Sequence, residues 1–313
     1  MHLLVIADPL DGFKTYKDTT YAMLREAARR GHRLAACEPR DLHWVSGGRV
    51  SARQRALTLT GGDHAWYTAG EPQVAALADF DAVLMRKDPP FDSEYFYATH
   101  LLSRAQAEGA RVVNDARALR EHPEKLAILE FPELAPPTLV TRSEADVRAF
   151  HAQMGDIILK PLDGMGGAGI FRVKADGLNL GSVIETLNRH GAQTLMVQRF
   201  EPAIADGDKR VLVIAGEPVP FALARIPQGG EVRGNLAAGG RGEARPLTAR
   251  DREIAQAVAE RLAPRGLLLL GLDVIGERLT EINVTSPTGF QEITNQTGFD
   301  VAARFVDALE ALA

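Results

Sequence analysis

A glycine-rich segment between two apolar stretches constrains the fold of this chain more than any other feature. The apolar stretch 157–159 leads into Lys160, and four glycines follow before a second apolar stretch at 170–173. Glycine lets the backbone approach a ligand closely and adopt positive φ angles. The amide groups of such a loop, together with one lysine ammonium, form a receptor for phosphate oxygens.

The residues after this loop exclude two common phosphate-binding motifs. No Gly-Lys-Ser/Thr sequence follows, so the loop is not a Walker motif. Residues 170–173 have the pattern of a strand, whereas a dinucleotide-binding fingerprint continues into a helix. A lysine, a glycine loop and a strand in this order favour a lid folded over a nucleotide. A mobile glycine turn without a ligand is the alternative.

Oxygen-bearing side chains in two neighbouring strand patterns predict a cation site. The patterns 271–275 and 279–284 are joined by a short predicted turn at 276–278, and Glu281 and Asn283 share one face of the second strand. A three-residue turn places Asp273 opposite Glu281 on that face, whereas a two-residue turn places the two on opposite faces. Asp273, Glu281 and Asn283 together would suit Mg²⁺ that carries nucleotide phosphates. The alternative is an exposed polar strand face paired with nearby arginines.

Arginines and a long flexible segment lie between these two regions. Two strand patterns carry Arg210 and Arg225, which can both reach one anion. The segment 227–242 is rich in glycine and alanine, and it is too long for an ordinary connection. Because it contains Arg233 and Arg241, we predict a lid that closes on a negatively charged ligand. A disordered linker is the alternative.

Composition limits the class of protein. A chain of 313 residues can form two or three packed units. A net charge of −5 without a basic tract argues against nucleic acid as the main partner. The strand-like start at 3–7 indicates no signal peptide, and no apolar run reaches membrane-spanning length. The single cysteine, Cys37, excludes an internal disulfide and fits a reducing cytoplasm. We therefore expect a cytoplasmic protein with no membrane partner.

Strand and helix patterns alternate in the first third of the chain, which predicts a βαβ unit with a parallel sheet. The predicted elements of this unit are, in order, 3–7, 17–30, 33–38, 82–85, 92–108 and 111–114. Residues 41–70 contain two glycine pairs and suggest hairpins or irregular excursions. In the last third, the patterns predict helices at 248–261 and 301–312.

The residues quoted above, in this order, resemble bacterial glutathione synthetases of the ATP-grasp superfamily, over essentially all 313 residues. The strongest segments of the resemblance are 85–92, 160–173, 206–212, 225–247 and 271–288. The resemblance implies an α/β and α+β ATP-grasp fold in three domains. These are an N-terminal parallel-sheet βαβ domain, a small α+β lid domain and a larger antiparallel-rich domain with the metal site and the loop 227–242. The expected ranges are 1–121, 122–200 and 201–313.

The chemistry that the resemblance implies is ATP-dependent amide formation. The γ-phosphoryl group of ATP passes to the cysteinyl carboxylate of γ-glutamylcysteine, and the amine of glycine attacks the resulting acyl phosphate. The products are glutathione, ADP and phosphate. The implied cofactors are ATP and Mg²⁺, with Mn²⁺ as a substitute, and the implied assembly is a homo-oligomer, specifically a tetramer.

The resemblance also assigns roles to individual residues. Those expected to bind the nucleotide are Lys125, Lys160, Gly164, Gly166, Gly167, Gln198, Arg199, Phe200 and Asp208. The segment from Gln198 to Glu201 would lie at adenine and Asp208 at the ribose, although Phe200 could equally belong to the core. Arg210, Arg225 and Arg233 would be catalytic, the first two by stabilising developing charge and the third by closing the lid.

Three further residues are assigned to the peptide substrate, namely Arg86, Ser286 and Thr288. Arg86 ends a strand at the edge where open α/β sheets bind ligands, but a surface ion pair with Asp88 or Asp92 is equally compatible. The sequence Gly-Phe-Gln at 289–291 departs from the Ile-Arg that the family more often has there, so an arginine contact cannot be carried over. The sequence therefore does not predict which residues select the glutamyl end of the peptide substrate.

Two alternatives to this function remain at the level of sequence. One is an ATP-grasp ligase that joins a different amino acid or peptide. The other is a nucleotide-binding regulatory protein without turnover, which would not need the acidic set and both Arg210 and Arg225. Release of ADP that depends on γ-glutamylcysteine would distinguish the three.

Overall fold

A computed structural model describes residues 1–62, 65–231, 233–236 and 239–312 of the chain. This part of the chain contains three β-sheets, which follow one another along the sequence. Within the described residues, no helix is long and apolar enough to cross a membrane.

The first sheet is mixed, with a parallel centre. Strand β1 pairs in parallel with β2 and β7, and β7 with β8, which confirms the predicted βαβ unit. Asp18 and Asp92 cap the two long helices of this unit by accepting hydrogen bonds from backbone amides. The elements are β1 (His2–Ile6), α1 (Thr19–Arg29), β2 (Arg33–Cys37), β3 (Leu42–His43), β4 (Ser51–Leu59), β5 (Tyr67–Ala69), β6 (Gln73–Ala76), β7 (Ala82–Met85), α2 (Ser93–Ala107), β8 (Val112–Val113) and α3 (Ala116–Glu121).

Strand β4 confirms the hairpin alternative for residues 41–70, because it pairs antiparallel with β3 and β5, although its bounds were not predicted. It is nine residues long, and it pairs antiparallel with β2, β3, β5 and β6. Its buried positions include Ala52 and Gln54, which are small or polar. The usual alternation of large apolar and polar residues is therefore absent.

The second sheet is antiparallel, in the order β11-β10-β12-β9. The glycine loop joins β10 to β11, as the sequence predicts, and a separate small core lies between this sheet and its helices. The elements are β9 (Thr138–Thr141), α4 (Glu144–Met154), β10 (Ile157–Pro161), β11 (Phe171–Val173), α5 (Leu180–Asn188) and β12 (Leu195–Arg199).

The third sheet is antiparallel, in the order β15-β14-β13-β16-β17. Its strand β15 begins at Arg241, so the last two residues of the predicted lid belong to this sheet, whereas residues 232, 237 and 238 of that lid lie outside the described residues. The elements are β13 (Asp208–Ile214), β14 (Glu217–Ile226), β15 (Arg241–Pro246), α6 (Ala249–Leu262), β16 (Leu269–Ile275), β17 (Arg278–Asn283), α7 (Phe290–Thr297) and α8 (Val301–Glu310).

The first and third sheets share continuous apolar cores. A buried amide also joins them, because the Asn114 side chain donates to the carbonyls of Leu269 and Val284 at 2.8 and 2.9 Å. Its oxygen accepts from the Leu269 amide at 2.9 Å. The N-terminal unit is therefore held against the strand that carries Asp273.

Candidate active site

One cavity of about 440 Å³ is lined by residues of all three sheets and their loops. It brings together residues that are up to 280 positions apart in the chain, from Gly12 before α1 to Glu292 in the first turn of α7. The predicted site residues that line it are Lys125, Lys160, Gly164, Gly166, Gly167, Gln198, Arg199, Phe200, Asp208, Arg210, Arg225, Arg233, Asp273, Glu281, Asn283, Ser286 and Thr288.

The glycine loop needs its glycines because the lid segment packs directly on it. Gly167 has a φ of +85°, and a Cβ atom there would lie 2.8 Å from Oδ1 of Asn235. The guanidinium of Arg233 donates to the Gly167 carbonyl at 3.3 Å. A side chain at Gly164 would meet Pro161 at 2.9 Å. The loop can therefore keep this conformation only without side chains at these positions.

Two buried lysines approach the cavity from different elements. Lys125 precedes a short 3₁₀ turn, and its Nζ donates to the Gly164 carbonyl at 2.5 Å and lies 3.5 Å from Oε1 of Glu281. Lys160, at the end of β10, donates to the Thr280 carbonyl at 3.2 Å. Burial lowers the pKa of Lys160 to about 8, and the Lys125 charge acts in the same direction against the attraction of Glu281. An anion bound here would stabilise both ammonium groups.

A β-bulge, which the sequence analysis missed, sets the register of the acidic hairpin. Ile275 pairs with Arg278, so the turn has two residues instead of the expected three. On that basis alone Asp273 and Glu281 would face opposite sides of the sheet. The register shifts between Asp273 and Val274, however, and Asp273 then pairs directly with Glu281. The predicted juxtaposition is therefore present, although the predicted turn was wrong.

The donor set of this hairpin suits a hard cation. Asp273, Glu281 and Asn283 all line the cavity, and Asn283 uses its amide nitrogen to donate to the Gly271 carbonyl at 3.0 Å. Its amide oxygen is thus the atom left for a ligand. Among the described residues there is no group of three or more His, Cys, Asp or Glu side chains that could hold a metal alone. Two carboxylates and an amide fit Mg²⁺, which takes its other ligands from phosphate and water.

Asp273 also neutralises two buried arginines. Its carboxylate lies 2.6 Å from Nε of Arg210 and 2.9 Å from the Arg225 guanidinium. Burial alone would raise the pKa of Asp273, but the two arginines outweigh burial and hold this pKa below its usual value. The alternative of a strand face paired with arginines is therefore partly correct for Asp273. The pairing is buried, whereas that alternative expected an exposed face.

Asp208 lies beside this cluster with one oxygen unused. Its Oδ2 accepts from Arg225 at 2.5 Å, whereas its buried Oδ1 has no hydrogen-bond partner within the described part of the chain. Burial raises the pKa of Asp208 to about 6, against the effect of Arg225. A buried oxygen without a partner is unfavourable unless a ligand donates to it. The predicted contact with ribose hydroxyls would satisfy that oxygen.

Phe200 lines the cavity and is partly exposed, so the alternative that it belongs to the core is wrong. Its ring packs against the guanidinium of Arg172, with 3.6 Å between Cζ and the ring centroid. The Phe200 amide already donates to the Asp156 carbonyl at 2.9 Å. The Gln198 side chain donates to Thr138 at 3.1 Å. Recognition of the purine edge, which was expected from this backbone, therefore cannot use the Phe200 N–H.

Arg86 does not line the cavity, which argues against the predicted contact with a substrate carboxylate. It is buried, and it donates to Thr20 Oγ1 and to the Pro287 carbonyl, both at 3.1 Å. The alternative surface ion pairs are also absent among the described residues, because Arg86 is not at the surface and Asp92 is the cap of α2. Arg86 holds the loop that follows β17, and desolvation by burial lowers its pKa.

The loop after β17 brings two predicted substrate residues to the cavity. Ser286 and Thr288 both line it, and the Ser286 hydroxyl donates to Oδ1 of Asp88 at 2.5 Å. The N-terminal unit thus fixes this loop on both sides of Pro287. A role for Ser286 and Thr288 in binding the peptide stays a prediction.

Several cavity residues were not identified from the sequence, namely Lys14, Lys17, Asp18, Asp88, Glu124, Asn235 and Glu292. Glu124 accepts hydrogen bonds from the hydroxyl and the amide of Thr285 at 2.5 and 3.2 Å. Burial, followed by repulsion from Glu281, raises the pKa of Glu124 to about 7. The sequence offered one indication that Glu124 lies at the site, namely its position next to Lys125. Lys17 was predicted only as the first residue of the helix 17–30.

Two family models account for nearly the whole chain. Residues 1–120 match the N-terminal domain of prokaryotic glutathione synthetase, and residues 124–298 match its ATP-grasp domain. The glutathione synthetase of Ralstonia nicotianae is 60% identical over 313 residues, which cover 100% of this chain and 96% of that protein. The glutathione synthetase of Nitrosomonas europaea is 58% identical, covering 99% of this chain and 98% of that protein.

Among solved structures, D-cycloserine synthetase is similar with a TM-score of 0.68 and 16% identity, over 100% of both chains. At that identity the likeness shows the fold alone. The ATP-grasp architecture expected from the sequence is therefore confirmed by fold and by family. The three domain ranges and the individual residue roles stay predictions. By its two family-model matches, which follow in order over nearly the whole chain, this chain belongs to the prokaryotic glutathione synthetase family.

Proposed function

We propose that the protein joins glycine to the cysteinyl carboxylate of γ-glutamylcysteine and converts ATP to ADP and phosphate. The observation that carries the proposal is the single cavity in which a lysine-bearing glycine loop faces Asp273, Glu281 and two buried arginines. Phosphoryl transfer requires neutralised phosphate oxygens and an ordered acceptor more than a covalent side chain. The lysines and arginines of this cavity would neutralise the phosphate oxygens, and its fixed charged groups would order the acceptor.

The buried lysines would act at the ATP end. Lys125 and Lys160 would contact phosphate oxygens, together with the amides of the loop around Gly166 and Gly167. Asp273, Glu281 and Asn283 would hold Mg²⁺. The ion would supply positive charge that offsets part of the negative charge on the phosphate oxygens. Mn²⁺ is expected to substitute, since it takes the same oxygen ligands.

Arg210 and Arg225 would act at the carboxylate that receives the phosphoryl group. Both are buried and held by acidic partners, so they are fixed in position before substrate binds. Donors that are already oriented need no reorganisation when negative charge develops on the acyl phosphate and on the tetrahedral intermediate. Glycine would attack as the free amine.

The segment around Arg233 would exclude water from the acyl phosphate. It already contacts the glycine loop through Gly167, so closure brings the third sheet against the second. An acyl phosphate open to solvent would hydrolyse and waste ATP. Coupling of ATP use to amide formation would thus depend on this contact.

The experiment is a coupled ADP-release assay with mass detection of the peptide product. It uses a panel of dipeptides and amines, with EDTA and added Mg²⁺ or Mn²⁺ as separate arms. ADP and tripeptide should form in equal amounts only with γ-glutamylcysteine, glycine and a divalent cation. A preference for another donor or amine would favour a ligase of different specificity. Tight ATP binding without turnover on any pair would favour a regulatory protein.

Lys160→Ala is the variant that tests the ATP end, with Lys174→Ala on the exposed surface as its control. Lys160→Ala should lose turnover and retain the fold, whereas Lys174→Ala should retain both.

We also propose a homo-oligomer, specifically a tetramer, in the cytoplasm. Light scattering on the purified protein measures the mass, and cell fractionation tests the compartment.

A further inference from the structure

A buried histidine outside the cavity joins the end of the first unit of the fold to the third. His122 follows α3, and its side chain is fully buried. Glu130 ends the 3₁₀ turn Leu126–Glu130, and Arg265 ends a similar turn after α6. The imidazole, the carboxylate and the guanidinium lie within hydrogen-bonding distance of one another. We call these three side chains the His122 cluster.

The contacts of His122 specify one protonation state of its ring. Nδ1 lies 2.6 Å from the Ala118 carbonyl, which can only accept, so Nδ1 carries a proton. Nε2 lies 2.6 Å from Nη1 of Arg265, which can only donate, so Nε2 accepts and carries no proton. These hydrogen bonds therefore require the neutral imidazole with its proton on Nδ1.

A second proton on this ring would conflict with Arg265. The protonated Nε2 would be a donor facing the guanidinium donor at 2.6 Å, and the two groups would carry like charge. Oε1 of Glu130 lies 3.1 Å from Nε2 and is the acceptor that the protonated ring would use. Glu130 already accepts two hydrogen bonds from Arg265, at 2.9 and 2.8 Å. Protonation would therefore set His122 and Arg265 in competition for one carboxylate.

The surrounding charges keep Glu130 ionised as the pH falls. Its hydrogen bonds with Arg265 hold the pKa of Glu130 below the usual value against the effect of burial, and Arg261 on α6 also lowers it. Arg261 donates to the Glu130 carbonyl and packs over the ring of Phe131, 4.5 Å from its centroid. Glu121, at the end of α3, acts on Arg265 as a second negative charge. The imidazole is the member of this group whose side chain ordinarily changes charge between about pH 5 and 8.

The His122 cluster fixes both ends of the segment 122–130, because one member begins this segment and another ends it. Lys125, inside the segment, donates to the Gly164 carbonyl of the glycine loop at 2.5 Å. The segment also contacts β17, where the Ile282 amide donates to the Glu124 carbonyl at 3.0 Å. A change at the cluster would therefore reach the cavity through one short stretch of backbone.

We propose that His122 is a positioning residue for Lys125, and that it holds the segment 122–130 in place only as the neutral imidazole. A proton on Nε2 would displace Arg265, loosen the segment and weaken nucleotide binding. The effect on ATP rests on the proposed function, in which Lys125 contacts a phosphate oxygen. The hold of the cluster on the segment does not depend on that function.

The first measurement compares ATP affinity in the unmodified protein and in His122→Gln by calorimetric titration, between about pH 5.5 and 8.5. The amide oxygen of glutamine can accept from Arg265, but the side chain gains no proton in this range. Other groups also titrate there, since the pKa is about 8 for Lys160, about 7 for Glu124 and about 6 for Asp208. The readout is therefore the ratio of the two affinities at each pH, in which these common effects cancel.

The two proteins should bind ATP equally at about pH 8.5, and the unmodified protein should bind roughly five- to tenfold more weakly than His122→Gln at about pH 5.5. In Arg265→Met, the protonated ring can donate to Glu130 without displacing a cation. The affinity of Arg265→Met relative to His122→Gln should therefore not change with pH.

Two further variants assign the effect to Lys125 and exclude a general effect of histidine. In the Lys125→Met background, His122→Gln should no longer alter ATP affinity at any pH, because the phosphate contact is already lost. His100→Gln, on the exposed face of α2, is the matched control and should follow the unmodified protein. Circular dichroism at each pH reports whether each variant is folded.

Two measurements test the His122 cluster without ATP. Nitrogen NMR of histidine-labelled protein, with the His122 signal assigned by its absence in His122→Gln, reports which ring nitrogens carry protons. It should show a proton on Nδ1 alone at high pH and on both nitrogens at low pH, with the same midpoint as the affinity ratio. Hydrogen exchange, corrected for the intrinsic effect of pH, should show loss of protection in the segment 122–130 over the same transition.

Three results would contradict these expectations, and they can be told apart. If the ring gains its second proton while the affinity ratio and the protection stay constant, His122 does not control the segment. If the ratio changes while the ring keeps one proton throughout, another group is responsible, and the inference is wrong. If Lys125→Met binds ATP like the unmodified protein, the proposed phosphate contact fails and the inferred effect on ATP fails with it. Loss of protection at low pH would in that case still support the hold of His122 on the segment.

Discussion

Asp273→Asn should damage both stability and turnover, because the structure gives this carboxylate two tasks. It faces the cavity beside Glu281, and it also neutralises Arg210 and Arg225. The substitution keeps the size of the side chain and removes its charge. Glu281→Gln makes the same chemical change on the opposite strand, where the carboxylate is partly exposed and lies 3.5 Å from Lys125. Comparing the two variants separates the effect of Asp273 on stability from its effect on turnover.

The expected loss of stability follows from the burial of the ion pairs. Removing one partner of a buried pair costs roughly 3–5 kcal/mol, because the other charge stays buried without compensation. Asp208 still neutralises Arg225, so we expect the lower end, about 3 kcal/mol. With an unfolding entropy of about 2.1 cal/mol/K per residue, this lowers the Tm of a 313-residue chain by roughly 5 °C. Glu281→Gln should cost less than about 1 kcal/mol.

Calorimetry without nucleotide or metal measures the stability, and Mg²⁺-dependent ADP release measures turnover. Asp79→Asn is the matched control, since Asp79 forms an exposed ion pair with Arg49 at 3.0 Å. Because the arginines hold the folded pKa of Asp273 below its usual value, its stabilising effect is present above the unfolded pKa and is lost as pH falls. The Tm deficit of Asp273→Asn should therefore narrow only below about pH 4.

Two outcomes would refute this reasoning. An unchanged Tm for Asp273→Asn near neutral pH would mean that the buried ion pairs do not contribute as the geometry indicates. Near wild-type turnover with an unchanged Mg²⁺ requirement in both Asp273→Asn and Glu281→Gln would remove the hairpin as the metal site.

Three further predictions concern the loop, the lid and the contact between sheets. Gly167→Ala should weaken ATP binding roughly tenfold, measured by calorimetric titration, because the φ of +85° is unfavourable for alanine and its Cβ would meet Asn235 at 2.8 Å. Trypsin should cut at Arg233 in the free protein but not at Arg241, which belongs to β15, and the cut at Arg233 should be blocked when ATP, Mg²⁺ and peptide are bound, as followed by gel and mass analysis. The clipped protein should hydrolyse ATP without forming amide. Asn114→Ala removes three buried hydrogen bonds between the first and third sheets and should lower the free energy of unfolding by about 2–4 kcal/mol in chemical denaturation.

Each of these predictions has an internal control or a contradicting result. Gly47→Ala places alanine at a nearly identical φ of +82° with no atom within 4 Å, so it reports backbone strain without the clash. Equal effects of both glycine variants on ATP binding would rule out a specific role of the loop. Equal tryptic rates with and without ligands would identify the lid segment as a passive linker. An unchanged free energy of unfolding in Asn114→Ala would show that this amide does not stabilise the contact between the first and third sheets.

Local patterns in the sequence determined the elements and the most specific part of the site. The apolar runs at 82–85 and 157–159 became strands because each is bounded by turn residues and is buried. Asp18 and Asp92 marked helix starts, because a side-chain cap depends only on residues two or three positions away. The glycine loop was also predictable, since its requirement for residues without Cβ is local. Helix α7 was missed because its N-cap is Gly289, which has no side chain to mark the start of the helix.

Tertiary structure decided which charges meet, since those partners lie far apart in the chain. The turn of the acidic hairpin was predicted with the wrong length, and the bulge beside Asp273 restored the register. Arg86 was assigned to substrate from its place at a strand end, but packing turned it toward Pro287. Lys17 and Glu292 line the same cavity, and Gln291 holds α7 against the segment before α1 by two hydrogen bonds. Spacing along a strand or helix specifies which side chains share a face, whereas the packing of three sheets specifies what that face meets.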